Sequence, residues 1–313
     1  MKKTAFLFPG QGSQYVGMGK QLYESSADAK RLLDRADEVL GYSLTGLMFN
    51  GPEEELKQTQ HAQPALLAAS IIAWKELDKL GVTADFTAGH SLGEYSAAVA
   101  SGVLSFDDAV QAVHQRGLFM EEAVPEGKGA MAAVMGMERQ ALEELTRSIT
   151  AGNVQLANIN APGQIVISGD KEAVEQAGEA AKEQGAKKVI PLSVSGPFHS
   201  KGMEPAKEKL TGVLAEITFT DAEIPLVSNV SADPVTNKDQ IKSQLIEQVT
   251  SPVLWEDSMK KLIEEGTVSF IEVGPGKVLS GLMRRIQRRG IEVMAAEDTD
   301  TINKAADSWK GEV

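Results

Sequence analysis

Cysteine is absent from the 313 residues, histidine occurs only four times, and aromatic residues make up 5% of the chain. The lack of cysteine excludes disulfide bonds, thiolate zinc sites and a cysteine nucleophile. Long apolar runs are also missing, and because a membrane-spanning helix needs about 20 apolar residues, we predict no membrane segment. The spacings typical of metal ligands do not occur either, so we predict no metal site.

Positive charge is in deficit, with 31 Lys and Arg against 44 Asp and Glu and a formal net charge of −13. A chain of this charge repels nucleic acid, so we predict no nucleic-acid partner. The chain begins MKKTAFLF, and its apolar run ends at Pro9. This run is shorter than the roughly 7–15 apolar residues of a signal peptide, so we expect a cytoplasmic protein.

The order of predicted elements indicates an α/β fold with a mainly parallel sheet. The apolar run Lys3–Phe8, closed by a Pro-Gly loop, is typical of a buried strand. Helices are predicted around Tyr23–Leu40 and Gln63–Leu80, and a strand precedes Ser91. Strands that alternate with helices in this way form parallel sheets.

The middle of the chain shows a different order, strand-helix-strand-strand-helix-strand, which is the ferredoxin-like pattern. The predicted segments are Gly129–Gly136, Glu138–Ile149, Val154–Asn160, Gln164–Gly169, Lys171–Gly185 and Lys187–Val194. We therefore predict a small ferredoxin-like domain at residues 125–197, inserted into a large α/β domain formed by residues 1–124 and 198–313. The large domain resumes with strands in EIPLVSNV and VSFIEVG and a helix at Val278–Arg289.

The segment Gly89-His90-Ser91-Leu92-Gly93 has the Gly-x-Ser-x-Gly spacing of a nucleophile elbow. In such an elbow a sharp strand-to-helix turn exposes the serine hydroxyl, and the helix start supplies free N–H groups for an oxyanion. A simple surface turn fits the same five residues. The alanine-rich helix that follows favours the catalytic interpretation.

A serine nucleophile needs a base, and the four histidines can be compared one by one. His90 neighbours the serine and is expected to point away from its hydroxyl, while His61 is expected to be a turn or cap residue before the helix that starts at Gln63. His114 falls on the polar side of the helix Asp107–Glu122 and is expected to be solvated. His199 follows the last strand of the small domain, at the predicted domain boundary, and is the base by elimination.

Arg116 is predicted to lie inside the apolar stripe of that same helix, which is formed by Ala109, Ala112, Val113, Phe119 and Met120. A buried arginine is costly unless it meets an anion. The anion is either a carboxylate of this chain or one that belongs to a substrate, which the guanidinium fork would bind at two points. The sequence pattern leaves both possibilities open.

Eight segments in this order resemble the malonyl-CoA:acyl carrier protein transacylases of bacterial type II fatty acid synthesis. The segments are FLFPGQGSQ, QPALL, GHSLGEYSA, RG after Gln115, GAMAAV, NINAPGQIVISG, SGPFHS and IEVGPGKVLSGL. The resemblance implies a hydrolase-like α/β core with a ferredoxin-like insertion. It implies malonyl transfer from malonyl-CoA to the phosphopantetheine thiol of acyl carrier protein, with coenzyme A as product and no permanently bound cofactor.

The resemblance also implies roles for individual residues. Ser91 would carry the malonyl group, His199 would serve as base and acid, and Arg116 would bind the malonyl carboxylate. The backbone N–H groups of Gln11 and Leu92 would form the oxyanion hole.

Three further positions match the family around the pocket. The backbone carbonyl of Gln248 would orient the histidine in place of an aspartate, and Asn160 would line the pocket. Phe198 matches the form that prefers malonyl over methylmalonyl groups. The chain departs from the family at Val249 and Thr250, where leucine and an aromatic residue are usual, and this departure concerns the pocket wall.

The acyl carrier protein is expected to be acidic, so a surface that binds it should be basic. The predicted helix Val278–Arg289 has an apolar stripe of Val278, Leu279, Leu282, Met283 and Ile286, with Arg284, Arg285, Arg288 and Arg289 outside it. These arginines either bind the carrier or form a solvated helix face. We expect a monomer. The alternative functions are a serine esterase or thioesterase and a non-catalytic module that binds the carrier.

Overall fold

The computed structural model describes residues 2–125 and 127–311, in which the chain forms ten strands, fourteen helices and a 3₁₀ turn at Lys201–Met203. The strands are β1 Lys3–Phe8, β2 Phe86–Gly89, β3 Gly129–Met135, β4 Val154–Ala161, β5 Gln164–Asp170, β6 Lys188–Pro191, β7 Leu226–Val227, β8 Pro234–Val235, β9 Thr267–Val273 and β10 Glu292–Ala296. The predicted domain ranges also include Met1, Glu126, Glu312 and Val313, which lie outside the described residues.

The helices surround the sheets and connect their strands. They are α1 Lys20–Ser25, α2 Ala27–Leu40, α3 Leu44–Asn50, α4 Glu53–Leu56, α5 Thr59–Lys79, α6 Gly93–Ala100, α7 Phe106–Glu122, α8 Arg139–Ser148, α9 Lys171–Glu183, α10 Glu204–Ala215, α11 Lys238–Glu247, α12 Trp255–Glu264, α13 Val278–Ile286 and α14 Thr299–Lys310. Across residues 2–125 and 127–311, none of these helices has the length and apolar character needed to cross a bilayer.

The larger sheet has the strand order β10-β9-β1-β2-β7-β8. All of its neighbouring strands run parallel except β7 and β8. In β1 the residues from Thr4 to Phe8 are all buried, because helices cover both faces of a parallel sheet. The predicted α/β fold with a mainly parallel sheet is therefore confirmed.

The smaller sheet is antiparallel and has the strand order β4-β5-β3-β6, with α8 and α9 between its strands along the chain. This order and the alternation of elements are those of the predicted ferredoxin-like unit. The sheet joins the larger part through β4, where the Ile159 N–H donates to the Val253 carbonyl at 2.9 Å. The whole sheet falls within residues 125–197, and those exact domain limits stay a prediction.

Two predicted helices in the first part of the chain have different limits in the structure. The helix predicted at Tyr23–Leu40 is interrupted at Ser26, whose hydroxyl accepts from the Ala29 N–H at 3.3 Å and caps α2. The helix predicted from Gln63 begins four residues earlier, at Thr59, so Pro64 lies inside the helix. Proline cannot donate to the Gln60 carbonyl, and the His114 Nδ1 lies 3.0 Å from that oxygen instead. The placement of His61 in a turn before this helix was wrong, since His61 lies inside α5.

The basic helix near the C-terminus is shorter than predicted. Helix α13 ends at Ile286, so Arg288 and Arg289 lie beyond it in irregular backbone. Val278 is 52% exposed and does not belong to the buried stripe, which Leu279, Leu282 and Met283 form. Only Arg284 and Arg285 are therefore arginines of this helix.

Candidate active site

The site lies where three neighbouring parallel strands end. Strand β1 leads to Gln11, β2 leads to Ser91, and β7 leads to Asn229. The carboxyl ends of adjacent parallel strands are the usual place for a site in an open α/β sheet, because the loops there converge on one crevice. The topology thus brings together residues from distant parts of the chain.

The turn between β2 and α6 holds Ser91 in a left-handed backbone conformation, with φ of 51°. A Cβ atom at Gly89 would stand 1.9 Å from the Gly93 carbonyl carbon, and one at Gly93 would stand 2.1 Å from the Phe8 carbonyl oxygen. Only glycine fits at these two places. The two glycines therefore make the sharp turn possible, which leaves the serine at its tip.

His199 forms the predicted pair with the serine. Its Nε2 lies 2.8 Å from the Ser91 Oγ, and its Nδ1 lies 2.9 Å from the backbone carbonyl of Gln248. Because a carbonyl can only accept, Nδ1 carries the proton and Nε2 is free to accept from the serine. A buried carbonyl thus takes the place that an acid holds in a Ser-His-Asp triad.

Burial also tunes the acidity of the histidine. Desolvation, followed by the positive charge of Arg116, lowers the pKa of His199 to about 3. The imidazole is therefore neutral near neutral pH and is able to accept a proton. His90 points away from the hydroxyl, as predicted, and its Nε2 lies 2.8 Å from the Asn160 Oδ1.

This lowered pKa predicts the pH dependence of serine acylation. We expect kcat/KM to stay on its plateau as pH falls through 6.5, the ordinary pKa of histidine, and to decline only well below it. The measurement is a profile of kcat/KM from about pH 4.5 to about pH 8.

Because the unfolded chain binds this proton at a higher pKa than the folded chain, the free energy of unfolding also falls as pH drops below 6.5. Thermal unfolding at each pH separates the two effects, and a half-maximal rate near pH 6.5 contradicts the prediction.

Arg116 is buried, with 1% of its surface exposed, as its place in the apolar stripe predicts. Its Nη1 donates to the Gln63 Oε1 at 2.8 Å, and its Nη2 donates to the Gln248 Oε1 at 2.9 Å and the Ser91 Oγ at 3.2 Å. Within the described part of the chain no carboxylate forms an ion pair with it, and its Nε has no hydrogen-bond partner. The guanidinium is held by neutral oxygens, so an internal ion pair does not explain its burial.

Gln11 and Leu92, whose backbone N–H groups are the predicted oxyanion hole, line the same cavity as Ser91. Leu92 precedes the first residue of α6, and Gln11 follows β1. Among residues 2–125 and 127–311 neither N–H donates a hydrogen bond to another group. Two free N–H groups beside a nucleophile are what an oxyanion hole requires.

A cavity of about 490 Å³ opens in front of these groups. Its lining includes Ser91, Arg116, His199, Gln11, Leu92 and Phe198. Asn158 also lines it, whereas Asn160 does not, because the Asn160 side chain is turned toward His90. The prediction that Asn160 lines the pocket was therefore wrong, and its contact with the site is an indirect one through His90.

Three polar residues of the site escaped the sequence analysis. Gln63 and Glu94 lie on α5 and α6 and are fully buried, and Asn229 is 1% exposed. The Asn229 Oδ1 accepts from the Ser91 N–H at 2.7 Å. His114 was also misplaced, since its Nδ1 lies 3.0 Å from the Gln60 carbonyl and its side chain is only half exposed to solvent.

The described residues contain no cluster of three or more His, Cys, Asp or Glu side chains that could hold a metal ion. The chemistry at the serine is instead available from imidazole, guanidinium and backbone N–H groups. These groups suit an attack on a carbonyl carbon followed by collapse of an oxyanion.

A mainly parallel α/β sheet with an elbow serine and a histidine partner is typical of proteins that transfer or hydrolyse acyl groups. The family model of the acyl transferase domain matches residues 5–302. The malonyl CoA-acyl carrier protein transacylase of Bacillus subtilis strain 168 is 58% identical over 314 residues, which cover 100% of this chain and 99% of the relative. The chain belongs to the family of malonyl CoA-acyl carrier protein transacylases.

Solved structures agree with this assignment. An acyl carrier protein S-malonyltransferase from Vibrio cholerae superposes with a TM-score of 0.94 at 44% identity, covering 96% of this chain and 99% of that one. A malonyl-transacylase in complex with its type II PKS acyl-carrier protein gives a TM-score of 0.95 at 41% identity, with 98% and 99% coverage.

Proposed function

We propose that the chain transfers a malonyl group from malonyl-CoA to the thiol of acyl carrier protein through a malonyl ester of Ser91. One observation carries the proposal: the Ser91 Oγ lies 2.8 Å from the His199 Nε2 and 3.2 Å from the Arg116 Nη2. A nucleophile, a neutral base and an unpaired cation thus share one cavity. The activity of the relatives named above supports the same reaction.

In the first half-reaction the Ser91 oxygen attacks the thioester carbonyl carbon while the His199 Nε2 takes the hydroxyl proton. The tetrahedral oxyanion accepts from the Gln11 and Leu92 N–H groups, and losing one such donor typically costs about 3–4 kcal/mol. As the intermediate collapses, the carbon–sulfur bond breaks and the histidine returns its proton to the sulfur. Coenzyme A leaves, and the malonyl group stays on the enzyme as an ester of the Ser91 hydroxyl.

Arg116 selects the acyl group by its distance from the nucleophile. In a malonyl group only two bonds separate the reacting carbonyl carbon from the carboxylate carbon. The carboxylate must therefore lie close to Ser91, which is where the guanidinium stands. When malonyl-CoA binds, Arg116 exchanges its contact with the Ser91 hydroxyl for an ion pair with the malonyl carboxylate. An acetyl group has no carboxylate and leaves the buried guanidinium without an anion.

In the second half-reaction the carrier thiol attacks the malonyl ester, His199 takes the thiol proton, and the serine leaves as its alcohol after reprotonation. Coenzyme A thus serves as product and not as a resident cofactor. Lys277, Arg284 and Arg285 give α13 a basic face, and we propose this shorter helix as a carrier-binding surface. We also propose that the protein is cytoplasmic, because both halves of the reaction use soluble partners, and that it is a monomer, because the lining of the cavity comes from a single chain.

Intact-mass spectrometry of the protein mixed with malonyl-CoA tests this function. We expect a covalent malonyl adduct that disappears when the carrier thiol is added, with malonyl-carrier as the dominant product. Release of free malonate in the presence of the carrier would identify a hydrolase instead. A protein that forms no adduct would be a binding module without catalytic activity.

A further inference from the structure

Glu94 is a fully buried carboxyl group whose role the reaction scheme leaves open. It stands in the first turn of α6, three residues after Ser91, and none of its surface is exposed. Its Oε2 accepts from the Gln248 Nε2 at 2.6 Å and from the Asn229 N–H at 3.3 Å. Its Oε1 has no hydrogen-bond partner among the described residues. A buried carboxyl group is costly, so these contacts call for an explanation.

The contact with Gln248 fixes which way the side-chain amide of that residue faces. The Gln248 Nε2 meets only acceptors, namely Glu94, the Ser91 carbonyl at 3.0 Å and the Asn229 Oδ1 at 3.4 Å. The Gln248 Oε1 is therefore turned toward Arg116 and accepts from its Nη2 at 2.9 Å. If the amide were reversed, its NH₂ group would face the guanidinium, and two donors would oppose each other.

The contact with Asn229 bears on the nucleophile. The Asn229 side chain accepts from the Ser91 N–H at 2.7 Å, and the Gln248 side chain donates to the Ser91 carbonyl. These two side chains hold both polar backbone groups of the strained residue. Glu94 accepts from the backbone N–H of Asn229 and from the side-chain amide of Gln248, so one carboxyl group contacts both of the residues that hold Ser91.

We propose that Glu94 is a positioning residue that acts through Gln248, holding its amide so that Arg116 keeps a neutral acceptor and one face free for the substrate carboxylate. The proposal rests on the proposed function and adds to it a determinant of malonyl specificity.

The protonation state of Glu94 does not alter this geometry. Burial raises the pKa of Glu94 to about 7. A proton on the unpartnered Oε1 leaves Oε2 as an acceptor for Gln248, so both forms hold the amide in the same orientation. A glutamine at this position resembles the protonated form, and a methionine of similar shape removes the acceptor.

The test measures kcat/KM for serine acylation by malonyl-CoA and by acetyl-CoA in Glu94→Met and Glu94→Gln. An apolar isostere in place of a buried charge is often tolerated by the fold, so Glu94→Met separates positioning from stability. We expect Glu94→Met to lose about 10²-fold with malonyl-CoA and far less with acetyl-CoA, because misplacement by about 1 Å has this effect. Glu94→Gln keeps an acceptor for Gln248, so its kcat/KM with malonyl-CoA is expected to be at least about ten-fold higher than that of Glu94→Met. If Glu94→Met does not fold, Glu94→Asp withdraws the carboxyl group by one methylene and serves in its place.

A double-mutant cycle shows whether Glu94 acts through Gln248. In the Gln248→Ala background we expect Glu94→Met to change the malonyl-to-acetyl ratio by less than about three-fold, because coupled residues are not additive. Fully additive effects, or an unchanged ratio in Glu94→Met, would overturn the proposal.

Glu272 provides a matched control, since it is another buried carboxyl group. It lies on β9 and accepts from the Leu279 and Ser280 N–H groups at 2.9 and 2.7 Å. Glu272→Gln is expected to lower thermal stability and to leave the malonyl-to-acetyl ratio unchanged. The wild-type protein in the same experiment must form the malonyl adduct. Its failure to do so would overturn the proposed function. A normal wild type together with a Glu94→Met variant of unchanged malonyl-to-acetyl ratio would overturn only the role of Glu94.

Discussion

Ser91→Ala is expected to abolish the malonyl-enzyme and to reduce malonyl transfer by roughly 10⁴- to 10⁶-fold, the range seen when a catalytic serine is removed. The physical reason is that the hydroxyl is the atom through which the two half-reactions are joined. Without it the carrier thiol must attack malonyl-CoA directly, with no covalent intermediate that holds the acyl group between the two steps. The measurements are intact mass after mixing with malonyl-CoA and the rate of malonyl-carrier formation.

Ser96→Ala is the matched control for this change. Ser96 lies on α6, the helix that follows Ser91, is fully buried, and its hydroxyl has no hydrogen-bond partner within the described residues. Its loss removes a hydroxyl of equal size without touching the cavity, so the adduct should form as in the wild type. An adduct that persists in Ser91→Ala would show that another side chain carries the acyl group.

Arg116→Ala is expected to narrow the preference for malonyl-CoA over acetyl-CoA by up to about 10⁴-fold, the discrimination that an unpaired buried group can give. The malonyl carboxylate would lose its partner and would have to enter a buried site uncompensated. Acetyl transfer should change much less. The measurement is kcat/KM for both thioesters, and equal losses with both would refute the role.

The same variant affects the base. The Arg116 charge is one of the causes that lower the pKa of His199, so its removal is expected to raise that pKa and to move the acid limb of the rate profile to higher pH. Arg116→Lys separates charge from shape, because it keeps the cation and loses the fork. Arg139→Ala removes a partly exposed arginine that pairs with Asp257 and serves as the control.

Local patterns predicted much of the site. The glycines around Ser91 and the alanine-rich helix after it favour an elbow, and the 3.6-residue period of α7 placed Arg116 among buried residues. His199 followed by elimination because histidine is scarce. These inferences needed only neighbours along the chain.

The supporting residues could not be predicted in this way. Glu94 and Gln248 are 154 residues apart, and Asn229 and Ser91 are 138 apart, so their contacts depend on the order of strands in the sheet. A signal nevertheless existed. Gln63 directly precedes the apolar run of α5 that begins at Pro64, and Glu94 lies in the alanine-rich α6, so both are polar residues beside apolar ones, as Arg116 is.

The exposure of His114 was predicted wrongly for a comparable reason. The helix wheel of α7 put His114 on a polar side, but α5 packs so closely there that a Cβ at Gly117 would stand 2.6 Å from the Gln60 Cα. A single helix carries no information about such an approach. The early end of α13 and the break at Ser26 depend on caps that the apolar pattern does not reveal.

Both members of the reacting pair occupy a backbone conformation that side chains avoid, since φ is 51° at Ser91 and 57° at His199. Each such residue costs about 1–3 kcal/mol, a sizeable part of the roughly 5–15 kcal/mol that separates a folded domain from its unfolded chain. Selection for heat resistance alone would therefore favour glycine at both positions. The variant with the highest free energy of unfolding would therefore have no catalytic activity. The serine and the histidine are retained only because selection acts on the reaction itself.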